Sequence, residues 1–325
     1  MNVLVVGGAG YIGSVTVAEL LDSGHQVVVY DSLVTGHVEA VSPGAELVVG
    51  DLADQALLND VFARRRFDGV VYYGGFIAAG ESMQEPGKYF QNNVSNVINL
   101  LNSMVSHGVM RFVFSSSAGV YGDPPSVPIP EDAPLAPLNP YGESKAVVER
   151  LLRWYDSQCG LRYVSLRYFN AAGATDRLGE DHRPETHLIP VVLQAALGQR
   201  DAVDLYGTDY PTPDGTCIRD YVHVSDLAQA HFLALERCEA GSAVYNVGSG
   251  QGFSNREVVE TAQRVTGRTI AVREAPRREG DPAALVASSD RARSELGWQP
   301  RFTELAEIIE SAWLWHQAHP NGYGG

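Results

Sequence analysis

The run Val3-Leu4-Val5-Val6, passing straight into Gly7-Gly8-Ala9-Gly10-Tyr11-Ile12-Gly13, limits what this chain can fold into more than any other stretch. Four consecutive apolar residues predict a strand buried on both faces, and the glycines predict a tight turn into a helix that runs to about Gly24. Val27 to Tyr30 predicts a second apolar strand, ending on Asp31. The pattern Gly7-x-x-Gly10-x-x-Gly13 departs by one residue from the common G-x-G-x-x-G, but its physics is unchanged. Glycines permit the turn, let a pyrophosphate approach the backbone and let helix pack on strand, while the helix N-terminus faces the phosphates. An acid at the end of the second strand suits the ribose hydroxyls and repels a 2′-phosphate, so Asp31 predicts NAD over NADP.

The alternation continues along the chain. Leu47 to Val49 predicts a strand with Asp51-Leu52 after it, Gln55 to Arg65 a helix, and Val70 to Tyr73 a strand; a long helix follows Pro86. Arg111 to Phe114 predicts the strand that delivers Ser115-Ser116-Ser117, and Tyr163 to Leu166 another strand. Strands separated by helices imply an α/β fold, a doubly wound parallel sheet of Rossmann-like type with ligands at the C-terminal strand ends. Past Arg167 the pattern changes. Pro and Gly crowd 206–216, short strands such as Val244 to Val247 alternate with helices near 187–198, 225–237, 254–266 and 303–318, and a smaller α/β unit is expected. The chain therefore divides into a dinucleotide-binding part, 1–170, and a substrate-binding part, 171–325, with room for it to cross back.

One stretch carries the chemistry. In Asn139-Pro140-Tyr141-Gly142-Glu143-Ser144-Lys145, Asn139 can cap a helix and Pro140 suits its first turn. Tyr141 and Lys145 then share a face, one turn apart. A phenol beside an ammonium is a tunable acid or base, but lowering its ordinary value near 10 by two to three units needs about 3–4 kcal/mol of phenolate stabilisation. Lysine occurs only at Lys88 and Lys145; every other strong base is arginine, so a compact cation beside Tyr141 stands out.

A net charge of −15 argues against nucleic acid or an anionic membrane as a partner. Cys159, Cys217 and Cys238 are too few and too scattered for a disulfide framework. The nine histidines show no metal spacing, so no metal site is expected, and His223, in an apolar stretch, reads as a buried, satisfied side chain. The N-terminus has no basic n-region or long apolar run. No signal peptide, membrane span or lipid anchor is expected, and the cytoplasm is the expected compartment.

These residues resemble the extended short-chain dehydrogenases/reductases over nearly the whole chain. The likeness rests on Gly7 to Ser14, Gly80-Glu81-Ser82, Ser115 to Gly122, Asn139 to Lys145 and Arg167-Tyr168-Phe169-Asn170. Asp209-Tyr210-Pro211-Thr212, Arg219-Asp220-Tyr221-Val222-His223-Val224 and Arg277-Arg278-Glu279-Gly280-Asp281 are similar to landmarks of the UDP-glucose 4-epimerases within that family. The resemblance implies NAD as a tightly held cofactor and a redox-neutral cycle in which a UDP-sugar is oxidised at C4, turned over as the 4-keto sugar and reduced on its other face. It implies Tyr141 as the base, Lys145 lowering the Tyr141 pKa and holding the nicotinamide ribose, and Ser117 bonding the 4-oxygen. It places Gly7, Gly10, Tyr11, Ile12, Gly13, Asp31, Ser32, Asp51, Leu52, Tyr73, Gly74, Gly75, Asn92, Ser115 and Phe169 around NAD. Asn170, His187, Leu188, Leu205, Tyr206, Arg219, Arg278, Asp281 and Leu285 would join Ser117 and Tyr141 around the UDP-sugar, the two arginines on the diphosphate. A homodimer is the expected assembly.

Departures sharpen the reading. Relatives commonly carry alanine at the position of Gly74 and lysine at that of Ile77, so a more flexible strand exit and easier NAD release are expected. Epimerases limited to plain hexoses often carry tyrosine where Leu285 stands, which predicts room here for an N-acetyl group at sugar C2. A 4,6-dehydratase, decarboxylase or uronate epimerase on the same fold is the rival enzyme. The first two need acid/base groups just past the serines, where Ala118 and Gly119 cannot move a proton. A non-enzymatic NAD-binding protein has no use for the Tyr141/Lys145 pair.

Overall fold

In a computed structural model describing residues 1–278 and 280–324, the expected alternation is realised. The elements run β1 (Asn2–Val6), α1 (Tyr11–Asp22), β2 (Gln26–Asp31), β3 (Glu46–Val49), α2 (Gln55–Arg64), β4 (Gly69–Tyr72), α3 (Ala79–Gln84), α4 (Pro86–Phe90), α5 (Asn96–Ser106) and β5 (Arg111–Ser117). A π-helical turn over Gln91–Ser95 joins α4 to α5. Then come α6 (Pro140–Cys159), β6 (Arg162–Tyr168), β7 (Asn170–Ala172), α7 (Leu188–Ala196), β8 (Val203–Tyr206), β9 (Ile218–Arg219), β10 (Tyr221–His223), α8 (Val224–Arg237) and β11 (Ala243–Val247). The chain closes with β12 (Phe253–Ser254), α9 (Asn255–Thr266), β13 (Val272–Ala275), β14 (Ala284–Leu285), α10 (Asp290–Leu296) and α11 (Leu305–Ala318). Glu279, within the Arg277–Asp281 landmark, lies outside the described residues.

Seven parallel strands form the main sheet in the order β11-β6-β5-β4-β1-β2-β3. Strand order reverses between β1 and β4, which opens the crevice where such sheets bind ligands. Along β1 the side chains alternate between two cores: Val3 and Val5 join Leu20, Leu227 and Leu235 of α1 and α8, while Leu4 and Val6 join Leu58, Leu100 and Leu152 of α2, α5 and α6. Each such fully buried side chain contributes about 1.5–3 kcal/mol.

One element sits differently from its sequence reading. Residues 243–247 belong to the main sheet, paired with β6, rather than to the smaller unit, and α8 covers that sheet. Parallel pairing is made by residues distant in sequence, so a short apolar run does not announce its neighbour. A third core, under α7, α9 and α11, supports the C-terminal part. A fourth, small cluster joins the two parts: Ala118, Val120, Tyr121, Ile129, Ala146, Phe169 and Ala287, with Leu285 packed against it.

Candidate active site

The glycine turn forms a cradle that only glycine permits. A Cβ on Gly13 would stand 2.1 Å from the Gly7 carbonyl oxygen. Gly10 caps α1 with no side-chain bond, and the first intrahelical bond runs from the Ser14 N–H to the Gly10 carbonyl at 2.9 Å, leaving the N–H groups of Tyr11, Ile12 and Gly13 ahead of it. Asp31, at the end of β2, accepts from the Ala9 N–H and the Leu33 N–H at 2.9 Å each. Each carboxylate oxygen keeps a lone pair for a ribose hydroxyl. These groups fit a bound NAD.

The remaining predicted cofactor residues divide by where their side chains point. The Tyr73 ring packs against the first core and its hydroxyl bonds Thr16 at 2.5 Å, Gly75 follows β4, and Asn92 donates to Asn93 at 3.1 Å. The Asp51 carboxylate accepts from Ala53 and Asn96, Leu52 packs into a core, and Ser32 is exposed. Phe169 is buried at the joint between the two parts. Tyr11 offers its backbone to the cradle, while its hydroxyl donates to the Gly173 carbonyl at 2.5 Å.

Gly74 lies just past the end of β4. A Cβ there would meet the buried Tyr72 ring at 2.9 Å, so the glycine makes room for that ring. The loop beyond it is clamped by Asn93, whose side chain accepts from the Phe76 N–H at 2.9 Å and donates to its carbonyl at 3.0 Å and to Ser144 at 3.1 Å. Ile77 is 42% exposed. The nearby cation is Lys88, over the Phe76 ring and paired with Glu81 at 2.6 Å.

Tyr141, Lys145 and Ser117 converge at the C-terminal end of β5. Asn139 accepts from the Gly142 N–H at 2.9 Å and caps α6, with Pro140 in the first turn. Ser82 then accepts the Tyr141 N–H at 3.2 Å, and Ser144 donates to the Tyr141 carbonyl at 2.7 Å. Lys145 donates to the Ser115 carbonyl at 2.8 Å and lies 5.1 Å from the Phe114 ring centre and 5.9 Å from that of Tyr141. Ser117 accepts from the Gly119 N–H at 3.0 Å.

Burial raises the Tyr141 phenol above its ordinary 10.0, and the neighbouring Ser117 hydroxyl works against that rise. Burial also brings Lys145 down to about 7. The enclosure that gathers the pair disfavours both charged forms, so a phenolate at Tyr141 depends on the cations placed around it.

Behind the serines stands support that sequence reasoning missed. Ser115 bonds the Nε2 of buried His231 at 3.0 Å, and Ser116 donates to Glu149 at 2.6 Å. Arg167 and Glu149 form an ion pair with side chains only 3% and 1% exposed. Gly80-Glu81-Ser82 was a visible signal for Ser82; nothing local marks His231 or Glu149. His223 is buried as read, its Nδ1 accepting from the Ser225 N–H and its ring stacked on Phe302 at 3.9 Å.

The predicted substrate residues sit on the other wall. Asn170 starts β7 beside Tyr221, and His187 caps α7 ahead of Leu188. Strand alternation sends Leu205 into the third core and leaves Tyr206 beneath Arg278, whose guanidinium lies 3.9 Å from the ring centre. Arg219 donates to the Pro282 carbonyl at 2.9 Å and lies 3.6 Å from Asp281. Leu285, in β14, pairs with Arg219 of β9 and packs against the cluster that joins the two parts. Asp220 anchors this wall, accepting from the backbone of Ser249, Gly250 and Ala287.

A doubly wound sheet with a glycine cradle and a Ser117–Tyr141–Lys145 group at its C-terminal edge defines a dinucleotide-dependent enzyme of the extended short-chain dehydrogenase/reductase type. Residues 3–248 match the NAD dependent epimerase/dehydratase family. A UDP-glucose 4-epimerase of Lacticaseibacillus casei is 51% identical over 328 residues, covering 100% of this chain and 99% of that protein. A crystal structure of a UDP-glucose 4-epimerase superposes with a TM-score of 0.96 at 50% identity, over 99% of both chains. That of the Brucella ovis UDP-glucose 4-epimerase in complex with NAD does so at 0.92 and 46%, over 96% of this chain and 97% of the other. The chain belongs to the NAD dependent epimerase/dehydratase family, and within it to the UDP-glucose 4-epimerases.

Proposed function

We propose that the protein interconverts UDP-galactose and UDP-glucose at C4 with NAD as cofactor. The observation that carries the reading is the convergence of Ser117, Tyr141 and Lys145 at the strand ends facing the glycine cradle. The cradle of Gly7, Gly10 and Gly13 and the Asp31 carboxylate would hold NAD, with Asp31 on the ribose. The chemistry a bound NAD supplies is reversible hydride exchange at sugar C4, together with a positive charge in the site.

The chain's own residues handle the proton. Tyr141, as a phenolate that the Lys145 ammonium and the positive charge of a bound NAD would stabilise, takes up the 4-hydroxyl proton through Ser117, which positions the 4-oxygen, and gives it back when the 4-keto sugar is reduced. Lys145, held by the Ser115 carbonyl, keeps an ammonium within reach of the phenol. Burial lets that ammonium titrate near neutral pH, so it can follow the charge at Tyr141. Arg219 and Arg278 hold the diphosphate, which also pays out the orientation needed for the sugar to turn over without leaving. Leu285, on the cluster that joins the two parts, limits the space beside the sugar, and leucine leaves room there for an N-acetyl group.

We further propose a homodimer in the cytoplasm, with 171–325 supplying most of the sugar-nucleotide wall. A dehydratase or decarboxylase has less support, because Ala118 and Gly119 follow Ser117. Incubation of the purified protein with UDP-galactose and no added cofactor should yield UDP-glucose. UDP-galactose recovered unchanged, even with NAD supplied, would overturn the proposal.

A further inference from the structure

Between β7 and α7 the chain folds four groups of metal-binding type around one point. The ligand atoms of Glu180, His182, Glu185 and His187 all lie within 4.8 Å of one another. His187 Nδ1 stands 2.8 Å from Glu180 and 3.1 Å from Glu185; His182 Nδ1 stands 3.1 Å from Glu180 and 3.6 Å from Glu185. A tetrahedral zinc ion with bonds of about 2.0–2.1 Å separates its ligand atoms by about 3.3 Å, which falls within the 2.8–3.6 Å between the imidazole nitrogens and the carboxylate oxygens here. A second observation points the same way. His182 Nδ1 is buried without a well-directed hydrogen bond, although the Glu180 and Glu185 carboxylates stand 3.1 and 3.6 Å away.

We propose that Glu180, His182, Glu185 and His187 bind one zinc-like divalent ion. Two imidazole nitrogens and two carboxylate oxygens suit zinc better than calcium or magnesium, which prefer oxygen alone. Four protein ligands make the site a structural one. Its place in the fold defines its role. The segment 173–187 is tied to the cofactor side by Tyr11, which donates to the Gly173 carbonyl, and by His37, 3.0 Å from the Asp181 carbonyl. It ends on His187, which caps α7 beside Leu188. An ion here holds the strap between the two halves of the site and sets where α7 begins. Glu185 already shapes that turn, accepting from the N–H groups of Thr186 and His187 at 2.7 Å each.

The competing account is an ion network of the same four side chains with no metal. The two are separated on the full-length protein, dialysed against a chelator, by titration with zinc chloride in a calorimeter and by elemental analysis of the re-dialysed product. The expected result is one zinc per chain, a raised melting temperature and, with cobalt(II) in its place, the intense visible bands of four-coordination. Glu180→Gln and His182→Gln should each weaken binding by at least tenfold, since even outer-shell partners carry about 10–100-fold. Should those buried changes disturb folding, His187→Asn tests the site at a side chain that is 45% exposed and keeps a capping residue on α7. His107→Gln, at the end of α5, should bind zinc like the parent. Failure to retain stoichiometric zinc, or equal retention by the cluster variants, would overturn the site.

Discussion

The ammonium of Lys145 on α6 donates to the backbone carbonyl of Ser115 on β5 at 2.8 Å, which ties the Tyr141 helix to the strand that presents Ser117. Through this bond the position of the phenol relative to the serine hydroxyl is a property of the packed sheet. Burial brings the lysine to about 7 and raises Tyr141, so the site is electrostatically poised for a charge to enter it.

Tyr141→Phe keeps the ring and its packing but removes the proton carrier. Turnover of UDP-galactose should fall by at least the roughly 10²–10⁴ that acid–base catalysis contributes, while substrate binding measured by calorimetry persists. Near-parental turnover would show that another group moves the proton.

Asp31 holds the Ala9 and Leu33 N–H groups and faces the ribose side of the cradle. Asp31→Ala should lose affinity for NAD and narrow its preference over NADP. Apoprotein titrated with both cofactors checks this, and equal affinities in the parent would remove Asp31 as the discriminator.

Leu285 packs against the cluster that joins the two parts, and on the proposed function added volume there acts against only the larger sugars. The parent should interconvert UDP-N-acetylgalactosamine and UDP-N-acetylglucosamine as well as the plain hexoses. Leu285→Tyr should suppress the acetylated pair and spare UDP-galactose, read as kcat/KM for both pairs. A parent inactive on the acetylated sugars would show that Leu285 is not a sufficient gate.

Burial lowers both His223 and His231 to about 4. Their stability contribution is whole above pH 6.5, because the unfolded chain takes up those protons first, and it falls as pH drops from 6.5 through about 4. Asp220, raised by burial to about 6, has the opposite sign and offsets one of the two below that pH. His231→Gln should therefore flatten the acid limb by one proton, about 1.36 kcal/mol per pH unit. Urea unfolding at steps from pH 7 to 4.5 reads that slope; identical slopes in parent and variant would contradict the buried neutral state.

What the sequence by itself determined is whatever depends on spacing along the chain. The Gly7–Gly13 turn, the strand ending on Asp31, the Asn139–Pro140 helix start and the shared face of Tyr141 and Lys145 follow from local sterics and the helical period. The tertiary structure alone decided the rest. The placing of 243–247 beside β6, of His231 behind Ser115 and of Asn93 across the Phe76 loop joins residues that share no local pattern. The same holds for the charge states of Tyr141 and Lys145, because desolvation is set by every atom packed around them rather than by the residues next to them in the chain.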